Sequence, residues 1–106
     1  MGLNSCVKME DLILALIVKN ENFRGEYMFR QFIARTNAYS QFNDFIIILK
    51  NNELIIISNL NSIQSYSATK KGNSLVDEIG IEKIITESEP FFGKRSDYEN
   101  LKHYFK

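Results

Sequence analysis

The chain has 106 residues, 44% of them hydrophobic, with 13 basic and 13 acidic side chains and no formal net charge. That length and composition fit one domain with one modest core, and exclude a disordered chain. The charge balance excludes the broad basic excess common in nucleic-acid-binding domains, so any phosphate contact has to come from a local patch.

Cys6 is the single cysteine, so no intrachain disulfide can form, which fits a reducing compartment. The apolar run 12–18 is too short to span a bilayer. It follows Lys8, Glu10 and Asp11 without the small-residue cleavage site of a signal peptide. A cytosolic protein with no membrane partner is expected.

The spacing of Leu12, Ile13, Leu16 and Ile17 predicts a first helix over 8–20. Leu14 and Val18 widen its apolar surface, as in a helix buried on more than one side. A polar break with Gly25 leads to a second helix over about 26–35, with Phe29, Phe32 and Ile33 on one face. Residues 36–38 read as a short turn. A third helix is predicted from Tyr39 to Asn51, with Phe42, Phe45, Ile46 and Leu49 spaced i, i+3, i+4, i+7. Asn51 and Asn52 are expected to close it, because Asn tolerates the left-handed conformation found past helix ends.

The β-branched run 53–58 predicts a strand, 59–62 a turn, and 63–68 a second strand completing a hairpin. Gln64, Tyr66 and Ala68 point to one side of it, and Ile63, Ser65 and Ser67 to the other. Thr69 is a fitting N-cap for a helix over 70–79, with Leu75, Val76 and Ile79 inward. Gly72 in its first turn is unfavourable for a helix, so a close approach by the hairpin or the first helix is the expected reason for it. The apolar phase breaks after Gly80, and a short helix is expected to reach about Ser88. Pro90 and residues 91–94 form a joint. Ser96 with Glu99 reads as a capping box opening a last helix that presents Tyr98, Leu101, Tyr104 and Phe105.

The residues carry a resemblance as well as an order. Residues 32–58, with Tyr39-Ser40-Gln41-Phe42 and then Leu54-Ile55, resemble the second helix, turn, recognition helix and first wing strand of small archaeal winged-helix transcription regulators. Residues 66–76 resemble the end of the wing and the opening of the next helix in the same group, matching at Thr69, Lys71, Gly72 and Leu75, with Ala68 in place of a leucine. Glu53 stands where that group has a glycine, so the turn is expected to lean on Asn51 or Asn52. The resemblance covers residues 9–79. It implies an α+β, mostly α fold: a winged helix-turn-helix over 1–80, with a C-terminal helical extension over 81–106.

It also implies duplex DNA as a partner, read by the third helix in the major groove. With the apolar set inward, Tyr39, Ser40, Gln41, Asn43, Asp44, Ile47 and Lys50 face outward. Gln41 and Asn43 suit paired hydrogen bonds to adenine, and Ser40 suits bases or phosphate. Arg35 and Asn37 would fix register on phosphate. Asn59, Asn61 and Ser62 would form the wing tip, with Lys70 and Lys71 adding charge near its base. Few cations are available, so a shallow salt dependence is expected.

Asp44 and the apolar Ile47 and Ile48 suit a protein partner better, and the competing reading is a winged-helix interaction module without DNA binding. Nothing points to an enzyme. His103 is the sole histidine, no Gly-rich loop follows a strand, and no Cys/His spacing fits zinc, so no cofactor or metal is expected. Glu87 and Glu89 read as surface charges. The aromatic tail from Phe91 to Phe105 has to fold back on the first helix or pack on a second subunit. A homodimer built from the first and last helices is expected.

Overall fold

The computed structural model describes residues 7–19, 33–36, 41–60 and 63–105, with 59, 60, 63 and 64 described through their backbone alone. Helix α1, Met9–Lys19, runs through the middle of the molecule. Its start is fixed by the Asp11 carboxylate, which accepts the Lys8 backbone N–H at 2.9 Å, and Glu10 and Asp11 suit the positive end of the helix. Leu12 through Ile17 are all essentially inaccessible. A six-residue run without a polar face has no solvent side, and α1 is covered by neighbours all round.

Four elements among the described residues make most of that cover. Helix α2, Phe42–Asn51, lays Phe42, Ile46 and Leu49 on the core. Strands β1, Ile55–Leu60, and β2, Ile63–Ala68, pair antiparallel, with Ile55 opposite Ala68, Ile57 opposite Tyr66 and Leu60 opposite Ile63. Period-two alternation puts Ile55 and Tyr66 inside and leaves Ile56 half exposed. Tyr66 meets the Phe42 ring edge-on at 6.3 Å, tying hairpin to helix. Helix α3, Lys70–Ile79, and helix α4, Ile81–Glu87, follow, hinged at Gly80 with φ of 96°. Helices α2, α3 and α4 and strand β2 all contact α1. A 3-10 turn, Glu89–Phe91, then leads to helix α5, Arg95–Tyr104. The fold is α+β and mostly helical.

The end of α2 departs from expectation. Asn52 stays on the right-handed side with φ of −88°, and Glu53 takes the left-handed conformation with φ of 62°. The Leu54 N–H reaches the Leu49 carbonyl and the Glu53 N–H the Lys50 carbonyl, both at 2.9 Å. These are the two bonds of a Schellman turn, and buried Leu49 and Leu54 supply its apolar contact. The turn occupies 53–54, so the strand begins at Ile55 and extends two residues further than the β-branched run, through Asn59 and Leu60.

The start of α3 matches expectation. Thr69 is its N-cap, and the Thr69 hydroxyl accepts the Gly72 N–H at 3.0 Å while donating to the Glu53 carbonyl at 2.7 Å. The Thr69 N–H also binds the Leu54 carbonyl at 3.0 Å. One threonine thus joins the end of α2 to the start of α3. Gly72 is buried where a Cβ would overlap the Leu54 carbonyl oxygen and sit 3.4 Å from Leu14 Cδ1. The expected close approach comes from the residue that opens the hairpin, with the first helix just behind it.

The capping box at Ser96 is not formed. Lys94, in extended conformation, is the N-cap of α5 without a side-chain bond, and Ser96 already lies in the first turn. Glu99 instead pairs with Arg95 at 3.4 Å and Lys102 at 3.5 Å. The aromatic tail folds back: Phe92, Tyr98 and Leu101 join α1 and Ile84 in one core, and Tyr104 and Phe105 pack on its edge. Val7 donates its backbone N–H to Glu87 at 2.9 Å, holding the entry to α1 against α4. Because Leu12–Ile17 are consumed within the chain, they leave no apolar face on α1 for a second subunit. Among the described residues, no helix is long and apolar enough to cross a membrane.

Candidate nucleic-acid interface

Helix α2 is held from one side only. Opposite Phe42, Ile46 and Leu49, the residues Asn43, Asp44, Ile47, Ile48, Lys50 and Asn51 face solvent. Gln41, at the N-cap rather than inside the helix as expected, is also exposed and makes no capping bond. Gln41 and Asn43 therefore present amide groups at the positive end of the helix, where base edges or phosphates are met when such a helix enters a groove. The centre of the same face is apolar: Ile47 is 54% and Ile48 39% exposed. Asp44 adds a negative charge in the first turn.

The expected phosphate contacts divide. Lys70 and Lys71 are exposed in the first turn of α3, which contains no acidic residue, so the helix end and both ammonium groups act in the same direction. Thr69 brings this turn to the end of α2, because its bonds to Glu53 and Leu54 adjoin the Glu53 bond to Lys50. The backbones of Lys50 and of the adjacent Lys70 and Lys71 thus converge on one junction, although Lys50 lies far from that pair in sequence. Glu53, also exposed there, opposes them.

Arg35 is placed differently. Its Nε lies 3.3 Å from the Asp97 carboxylate of α5, so this cation faces an internal anion where a free phosphate contact was expected. Thr36 is buried and bridges Phe92, with its hydroxyl donating to the Ile33 carbonyl at 2.7 Å. The C-terminal segment holds the end of the second helix, an arrangement no local pattern around Arg35 announces. Asn59 lies within β1 opposite Gln64, and so is not in the turn as expected. Asn37, Tyr39, Ser40, Asn61 and Ser62 lie outside the described residues, as do Cys6 and most of the second helix.

A separate cleft of about 430 Å³ opens between α4 and α5, floored by Ile81, Ile85 and Phe105. Its cations are already paired, Arg95 with Glu89 at 2.8 Å and Lys102 with Glu99 at 3.5 Å. Among the described residues it therefore offers no unpaired cation to a ligand, and Glu82 adds a carboxylate to its lining. Tyr98, at its wall, donates its hydroxyl to the Ile85 carbonyl at 2.9 Å. Burial pushes its pKa above the ordinary tyrosine value, more than the nearby Lys102 lowers it.

The sequence alone did not reveal Glu53 as the left-handed residue, Asp97 as the partner of Arg35, or Ile56 as an exposed strand residue. Two carried a signal: alternation from Ile55 places Ile56 outward, and Glu53 stands where the resembled group has a glycine, the residue suited to a positive φ. Comparison of the chain with protein-family models, with curated proteins and with solved structures finds no match.

Proposed function

We propose that this chain is a DNA-binding transcription regulator of winged helix-turn-helix type, reading duplex DNA with α2 and the hairpin β1–β2 as a short wing. The observation that carries the reading is the junction built by Thr69. It fixes a helix exposed along one side, the hairpin that follows it and a lysine-rich helix start, in the order the winged-helix resemblance implies. Gln41 and Asn43 are the base-reading candidates, and Lys50, Lys70 and Lys71 the phosphate contacts.

An anisotropy titration of a labelled duplex at low salt tests this. Binding is expected, and the double variant Gln41→Ala/Asn43→Ala is expected to lose about 1–3 kcal/mol per base contact removed. Unchanged affinity in that variant removes the assigned face, and no affinity for any duplex removes the reading. A second reading, a module that holds another protein, is favoured by the exposure of Ile47 and Ile48 on the same face.

A further inference from the structure

We infer that the outward stripe of α2 is a self-association surface on which a second copy of this chain docks antiparallel, covering the face that would otherwise read DNA. Asp44, Ile47, Ile48 and Asn51 recur at i, i+3, i+4, i+7, and all four are exposed directly opposite the buried Phe42, Ile46 and Leu49. The row is apolar at its centre, where Ile47 and Ile48 are exposed, and polar at its two ends.

The partner is identified by the symmetry of the row. A two-fold axis between Ile47 and Ile48 sets Ile47 of one copy on Ile48 of the other, and Asp44 on Asn51. It also brings Lys50 of one copy within about one residue's rise, ~1.5 Å along the helix, of Asp44 of the other. A two-fold interface requires a surface complementary to itself. An acid at one end, isoleucines in the middle and a lysine on the flank beside the far end meet that requirement. Within the chain, neither Asp44 nor Lys50 forms an ion pair with another described residue, so both charges remain available. A zero net charge adds no repulsion between copies. One helix stripe is a small contact, so the dimer belongs with transient interfaces.

The inference goes beyond the DNA reading and adds a control to it: self-association and duplex compete for α2, and dilution frees the helix. Sedimentation velocity of the full chain over rising concentration, without DNA, is the test. A reversible dimer is expected. Ile47→Asp, at a site exposed enough to leave folding intact, is expected to weaken it about tenfold or more. Asp44→Lys alone and Lys50→Asp alone each weaken it by setting like charges together, and the double variant restores it. A monomer at every concentration, or a dimer indifferent to Ile47→Asp, overturns the inference. Failure of the double variant to recover association overturns the antiparallel register. Absence of binding to any duplex in a separate titration removes the DNA reading and leaves the sedimentation result standing.

Discussion

At the scale of single residues, two backbone positions decide how α2 meets the hairpin. Gly72→Ala would gain about 1 kcal/mol of helix propensity at an exposed site. Here the new methyl runs into a backbone carbonyl, which cannot move aside as a side chain can. The expected net result is a loss of about 1–3 kcal/mol, seen as a lower midpoint in urea unfolding. Unchanged or raised stability would show that the contact is looser than described. Glu53 is the converse. A left-handed non-glycine residue costs roughly 1–2 kcal/mol, against the smaller entropic cost of a glycine, so Glu53→Gly should stabilise by about 0.5–1 kcal/mol. The first position was legible, because a glycine opening a helix invites a steric reason. The second was signalled only by the glycine that the resembled group has there, and two asparagines beside the glutamate made the wrong residues look left-handed.

At the scale of elements, what could be read depended on whether the signal was local. Helix α3 and strand β2 have the limits their sequences suggest, because Thr69 caps from its own position and alternation needs only the strand itself. The box at Ser96 failed because Arg95 and Lys102 draw Glu99 away and Lys94 already closes the helix start. The meeting of α2 and α3 depends on bonds between residues 53–54 and 69, which no window of sequence contains. That meeting makes a specific demand on DNA binding. If Lys70 and Lys71 both neutralise phosphates, Lys70→Ala/Lys71→Ala should flatten the plot of log affinity against log salt by about 2, at 0.9 per contact. Both side chains are exposed, so thermal stability should change by no more than about 0.5 kcal/mol. An unchanged salt slope would place the two lysines away from the duplex.

At the scale of the whole molecule, the sequence left open whether the aromatic tail turns inward or meets another subunit, because apolar content alone does not name the surface that covers it. Phe92, Tyr98 and Leu101 turn inward, onto the same core as α1. Helix α5 is therefore part of what holds the fold, and Tyr98 gives its docking a pH dependence. Burial disfavours the phenolate, so the folded-state pKa lies above that of the unfolded chain, near 10. Above pH 10 the unfolded chain then binds fewer protons than the folded one, and stability falls as pH rises through the folded value. Below pH 10 both states hold the proton, and this contribution is constant. Tyr98→Phe separates the two roles of the hydroxyl. At pH 7 it should cost about 1 kcal/mol through the lost bond to the Ile85 carbonyl. Between pH 10 and 11.5 its urea-unfolding free energy should fall less steeply with pH than that of the parent chain. The difference in slope isolates Tyr98, because every other tyrosine and lysine titrates in both proteins. Equal alkaline slopes in the two would mean that the hydroxyl ionises as freely in the folded chain as in the unfolded one, and that α5 leaves its wall of the cleft open to water.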